Sequence, residues 1–308
     1  MQPPTACPAS RAASARSSLS LPERVLLALA LRRSASAADL RRTCDESHYR
    51  AWRRRELTGQ LTRCFDPDAI EGLDVLDFGC GTGELSALLA GYRPRSITGV
   101  DIDRRAIERA ILSYHEGADG PCRPRFLALS DARSVPIRSA SIDLVCCFDV
   151  VEHLADMDTA ARQWARVLRP GGRVWIWWSP WSGPYGHHLD SLIPLPWMHL
   201  LFSEASLFRV CAEVYDAPSF VPRRWDIDPD TGRRKPNKWR STTSFQPFLN
   251  KLTRPAFERT VTAAGLRIAR REAHGFSGSW VGRMTRVLLP IPALGECFVS
   301  YYVYELVR

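Results

Sequence analysis

In the stretch VLDFGCGTGELSALL, residues 75–89, an apolar run ends in Asp77. Glycines follow at 79, 81 and 83, and then Leu85, Leu88 and Leu89 at helical spacing. That order describes a buried strand feeding a tight glycine turn at a helix N-terminus. Bare backbone there lets a ligand come close, and the helix end offers unpaired N–H groups. Such a turn suits a cofactor that carries adenosine. Its GxGxG spacing differs from the GxGxxG of nicotinamide-binding folds. Two more acids recur after later apolar runs, Asp101 in ITGVDID and Asp131 in SDARSVP. Histidines form a second set: His153 in FDVVEHL, His187 and His188 in SGPYGHHL, and His199 in PWMHLLF. An imidazole, with an unperturbed pKa of ~6.5, can move a proton near neutral pH. Its plainer role is to anchor a loop, and His199, beside Trp197, Leu200, Leu201 and Phe202, reads as a packed helix residue.

Elements must hold these residues in place. Strand signals at 73–77, 96–101, 125–128, 142–148 and 173–178 alternate with helix signals at 83–90, 104–114 and 157–168. The alternation predicts an α/β fold with a parallel sheet and helices on both faces. Regularity breaks at Ser179, and residues 180–253 are rich in proline, aromatics and charge. A helix at 255–264 and strands at 266–273 and 297–307 follow. An insertion placed after a strand's C-terminal end sits over the ligand crevice of such a sheet, so 180–253 reads as a substrate lid. Ahead of the sheet, 21–66 reads as a helical segment with Leu26, Leu29, Leu31, Trp52, Leu57 and Leu61 as its apolar points. Residues 1–20 read as a disordered basic extension, and 67–308 as the domain that carries the lid.

Size and composition narrow the classes. A chain of 308 residues that is 45% hydrophobic can build a full core. No apolar run approaches the ~20 residues that span a bilayer, which predicts a cytoplasmic protein. Nine cysteines occur with no CxxC pair, which predicts reduced thiols and no zinc site. Residues 1–63 hold twelve arginines against five acids, a net +7 of the total +9. The remainder is nearly neutral, so the sheet domain is not a basic groove and nucleic acid is not the expected partner. A second basic cluster at 223–240 reads as solvated surface.

With these residues in view, the chain resembles the class I S-adenosylmethionine-dependent methyltransferases, closely over 73–178 and loosely over 254–308. The resemblance implies a Rossmann-like seven-stranded, mostly parallel sheet with a reversed C-terminal hairpin. It implies that Asp77, Gly79, Cys80, Gly81 and Gly83 hold the methionine part of S-adenosylmethionine. It implies that Asp101 binds the ribose hydroxyls, that Ile102 lies against the adenine, and that Asp131 with Ala132 meets the adenine amine. Asp149, at the end of the fourth strand, is expected in the same crevice. LRPGGRV at 168–174 matches the turn before the fifth strand. Carboxylates also suit a ligand bearing an ammonium and a sulfonium.

Methyl transfer to a hydroxyl needs alignment and the removal of a proton. His187 or His188 is the expected base, with Tyr185 a further pocket residue. The segment DVVEH resembles the ubiquinone-pathway O-methyltransferases and, more distantly, small-RNA 2′-O-methyltransferases. In some of those relatives acids and a histidine here bind a divalent metal. Asp149, Glu152 and His153 could hold Mg²⁺ by that analogy, but the plainer reading has Glu152 and His153 orient the next helix, and no metal is expected. Trp175 and Trp177 read as core, and Trp178 and Trp181 as an aromatic wall for an aromatic, quinone-like, polyketide or glycosylated acceptor. The expected reaction is O-methylation of a small molecule. An RNA methyltransferase and a non-catalytic cofactor-binding scaffold are the competing readings, and the oligomeric state is left open.

Overall fold

The computed structural model describes residues 19–34, 46–115, 122–131, 133–228, 231–246, 248–275, 285–289, 291 and 294–308. They fall into two compact units, 1–49 with 187–245 and 50–186 with 246–308.

The second unit is built on seven strands: β1 Asp74–Phe78, β2 Ser96–Asp101, β3 Arg125–Ala128, β4 Ile142–Phe148, β5 Leu168–Trp178, β6 Arg267–Gly275 and β7 Val299–Val307. Their order is β3-β2-β1-β4-β5-β7-β6. The first five run parallel, and β7 runs antiparallel to both β5 and β6. The expected sheet with its reversed C-terminal hairpin is therefore present. Chain order reverses between β1 and β4, the place where open α/β sheets leave a crevice at the carboxyl ends of their strands.

Side chains alternate along each strand and fill two apolar layers. One layer takes Val75, Leu144, Cys146, Phe148 and Trp175, packed against Leu57 and Leu61 of helix α2 (Glu46–Cys64) and Leu85 and Leu89 of helix α3 (Glu84–Ala90). The other takes Leu76, Cys147, Ile176, Trp178 and Tyr304, with Trp164 and Phe257 from the covering helices. Both faces of β4 are thus buried, which is why it reads as an unbroken apolar run. The seven cysteines among the described residues form no disulfide with one another. Cys146 and Cys147 point into opposite layers, and burial pushes both thiols well above their ordinary range.

The first unit contains helix α1 (Leu21–Ser34) and helix α7 (Glu204–Asp216), numbering helices in chain order. The expected helical segment 21–66 is therefore divided, with α1 and the first turn of α2 in one unit and the rest of α2, from Arg50 on, in the other. Leu26, Leu27 and Ala30 form the buried face of α1, while Leu29 and, on α2, Trp52 are exposed. The boundary expected at residue 20 also moves. Leu19 is buried, and Ser20 donates from its N–H and its hydroxyl to Glu23 Oε2 at 2.8 and 2.9 Å. That is half of a capping box at the start of α1. Arg209 of α7 pairs with the other oxygen of buried Glu23. Burial alone would raise this carboxyl; the hydrogen bonds from Ser20 and Arg209 win and hold it at about 2. Residues 1–18 lie outside the described residues. No helix among the described residues is long and apolar enough to cross a membrane.

Candidate active site

The glycine turn joins β1 to α3, and each of its glycines has its own reason. All three have left-handed φ, +80° at Gly79, +52° at Gly81 and +86° at Gly83. A Cβ on Gly79 would stand 2.4 Å from Val150 Cγ2, and one on Gly83 2.8 Å from Phe126 Cζ. Those two let the turn pack against its neighbours. At Gly81 a Cβ would meet nothing within 4 Å, so bare backbone faces open space. The turn is pinned from behind: the N–H groups of Gly79 and Cys80 both donate to Val100 O. Gly81 N–H donates to Asp101 Oδ2 at 2.8 Å, and Asp103 N–H to Oδ1 at 2.8 Å. The carboxylate at the end of β2 is thereby held by backbone on both oxygens, with lone pairs still available.

Asp77 lies at the floor of the turn, 1% exposed. Ser86 Oγ donates to it at 2.6 Å. Burial, and then the charges of Asp101 and Glu84, push its carboxyl up to about 7 against the pull of the Ser86 bond. No cation among the described residues pairs with Asp77, Glu84 or Asp101. A pocket of acids with no basic partner is an environment for a cationic ligand. Cys80 beside them is buried, and desolvation and the same acids keep it a thiol. Ile102 is exposed, and Asp131 is exposed with its carboxylate capping Arg133 N–H at 2.8 Å. Ala132 lies outside the described residues. Six of the expected residues, Asp77, Gly79, Cys80, Gly81, Gly83 and Asp101, are brought together; Asp131 stands on the neighbouring loop after β3.

Asp149 differs from expectation. It has a φ of +57°, and its carboxylate is held by Arg53 Nη2 at 2.6 Å. Arg53 also pairs with Glu56 at 2.7 Å. The metal set Asp149, Glu152 and His153 is weakened at its first member, because a guanidinium already neutralises it. His153 Nδ1 meets Phe248 O at 2.6 Å, and Asn250 Nδ2 donates to Val151 O and Leu154 O. These bonds anchor the turn at 151–153. Glu152 is buried, and desolvation together with the Asp149 charge pushes its carboxyl up.

His187 is corrected as a base. It is fully buried, Leu189 N–H donates to its Nδ1 at 2.9 Å, and its Nε2 donates to Leu195 O at 3.1 Å. Both ring nitrogens are committed to the loop. Burial, and then His199 nearby, lower its pKa to about 3. It has no lone pair to offer at neutral pH. His188 is half-buried with a φ of +50°, and Tyr185 is exposed. Trp178 is also corrected, since it is core and not wall, whereas Trp177 is only half-buried. Arg53 was missed because it sits in RRR at 53–55, which reads as solvated charge; Ser86 carried no signal beyond its place in the helix after the turn.

Residues 76–176 match the methyltransferase-domain family. An O-methyltransferase of Penicillium expansum is 37% identical over 106 residues, covering 34% of this chain and 38% of that protein. A 27-O-demethylrifamycin SV methyltransferase of Amycolatopsis mediterranei is 38% identical over 100 residues, 32% of this chain and 36% of that protein. A ubiquinone biosynthesis O-methyltransferase of Leptothrix cholodnii is 31% identical over 107 residues, 35% and 44% of the two chains. The likeness thus spans less than half the length of each of these relatives.

Proposed function

We propose that this chain, which carries a class I S-adenosylmethionine-dependent methyltransferase domain, methylates a hydroxyl oxygen of a small molecule. The observation that carries the reading is the acid-lined glycine turn at the sheet's reversal point, with Asp77 buried and paired with no cation among the described residues. The similarity of about a third of the chain to O-methyltransferases supports oxygen as the acceptor atom.

S-adenosylmethionine supplies an electrophilic methyl on a sulfonium sulfur. The residues suited to hold it are those of the turn. Asp77 and Asp101 offer carboxylate oxygens to an ammonium and a ribose diol, Gly81 offers exposed backbone, and Ile102 offers an apolar face to adenine. Asp131 would accept from the adenine amine. With that methyl as the electrophile, an acceptor hydroxyl would have to be aligned with it and would have to give up its proton. Of the two adjacent imidazoles only His188 remains to take it, with Tyr185 as a further acceptor-side group. Alignment supplies the rest of the rate.

Calorimetry on the whole chain tests the reading. S-adenosylmethionine and S-adenosylhomocysteine should bind and NAD should not. Asp101→Ala should weaken binding by ~1.5–3 kcal/mol, the scale of charged hydrogen bonds. Tight NAD binding with no response to S-adenosylhomocysteine would reject it. Once an acceptor is in hand, His188→Ala should lower turnover about 10²–10⁴-fold while cofactor affinity holds. Near-native turnover in that variant would leave alignment alone to carry the reaction.

A further inference from the structure

A second cavity in the sheet unit lies between α2 and the adjacent strands β5 and β7. We propose that it is a subsite for a planar aromatic ring bearing a carboxylate and a hydroxyl, the acceptor side of the reaction above; only the word acceptor rests on that reading. Its volume is about 210 Å³, and Glu56, Gly59, Gln60, Arg63, Trp177 and Tyr301 are among its lining. Pockets for drug-sized ligands run to about 300–1,000 Å³, so this one suits a single ring.

Each wall specifies one part of that ligand. Trp177 and Tyr301 stack with ring centroids 4.6 Å apart and an interplanar angle of 26°, and Tyr301 stacks in turn on His274 at 4.6 Å, so the aromatic wall left to a ligand is that of Trp177. Such a wall favours a flat π-system. The charge is one-sided. Arg55 and Arg63 line the cavity, and neither forms an ion pair among the described residues. Arg63 lies along Gly59, its Nη2 3.5 Å from where a Cβ at 59 would be, which is ordinary contact. Glu56, the acid of the lining, is already held by Arg53. A guanidinium fork matches a carboxylate in shape and charge. Gln60 supplies the third feature. It is 9% exposed, and its Oε1 has no hydrogen-bond donor among the described residues. A ring hydroxyl would donate to it, and buried acceptors ordinarily find such a donor.

The cavity is also placed next to the candidate site within the same unit. Asp149 N–H donates to Trp177 O at 2.9 Å. Arg53 bridges Glu56, on the cavity's rim, to Asp149, at the end of β4. One ion-paired side chain therefore separates this ring site from the end of the strand that borders the glycine turn.

The test compares two probes that differ by one group, 3,4-dihydroxybenzoate and catechol, titrated calorimetrically into the whole chain without cofactor. The acid should bind at least tenfold more tightly. Arg63→Gln, at an exposed position that leaves the core intact, should remove that preference and leave catechol unchanged. Gln60→Leu should weaken both probes. Equal affinity for the two probes, a preference that survives Arg63→Gln, or no binding of either would overturn the proposal. S-adenosylhomocysteine is titrated separately: its failure to bind would sink the methyltransferase reading, while the cofactor-free titrations would still decide the ring site.

Discussion

Asp77 and His187 are both buried titratable groups, yet they have opposite fates. At the floor of the glycine turn, Asp77 is bonded by Ser86 and meets no cation among the described residues, and its carboxyl is raised to about 7. At the start of the 187–245 unit, His187 has a donor and an acceptor on its two nitrogens, and its pKa falls to about 3. Burial disfavours the charged form in each case. The difference is in what the surroundings finish. The loop around His187 satisfies the neutral ring completely, so the group is structural. The turn around Asp77 leaves the carboxylate short of a positive charge, so a ligand can complete it. A shifted titration marks a functional group only where the hydrogen bonds are left incomplete.

That contrast can be broken by substitution. The largest effect is expected at His187→Ala, which strands Leu189 N–H and Leu195 C=O; each orphan costs about 1–3 kcal/mol, so denaturant melts should lose ~3–5 kcal/mol. Cofactor affinity should stay within twofold, and a large loss of affinity would restore His187 to the functional set. Asp77→Asn should do the reverse. The raised carboxyl favours the fold fully below its ordinary 3.8 and withdraws that support as pH rises through about 7. The amide should therefore gain ~2 kcal/mol of stability at pH 8 while S-adenosylhomocysteine binding weakens at least tenfold. A variant that is no more stable at pH 8 would show that the site already compensates the charge.

A chain beginning at Leu21 should lose ~1–2 kcal/mol relative to one beginning at Leu19, through a buried leucine and half a capping box. Equal melting of the two would separate α1 from the stability of its unit. A last comparison is read from the titration curves themselves. His187 contributes stability that is complete above 6.5 and is lost as pH falls toward about 3. Glu23 loses its contribution below 4.5, down to about 2. The slope from each should not exceed ~1.4 kcal/mol per pH unit, and His187→Ala should flatten only the segment between 6.5 and 3.

The sheet was legible because parallel strands buried on both faces are nearly continuous apolar runs, and β4 is the clearest. The glycine turn was legible because left-handed φ at 79, 81 and 83 demands glycine whatever the ligand. What hid were matters of direction and partnership. Period-two alternation separates Trp177 from Trp178 but does not say which face carries a helix down to the strand's end, so wall and core were exchanged. An arginine among arginines looks solvated until a distant strand brings Asp149 to it, 96 residues along the chain. The role of His187 depended on carbonyl and amide groups two and eight residues ahead, which residue types do not encode.

Adjacent cysteines on β4 turn the core into a clock. Cys146 and Cys147 look into different layers, so a thiol reagent reaches either only when that layer opens. Pulse labelling followed by mass analysis would time each side of the sheet separately, with no engineered probe. Simultaneous labelling would mean that the sheet opens as one body. Staggered labelling would reveal which set of helices peels away first.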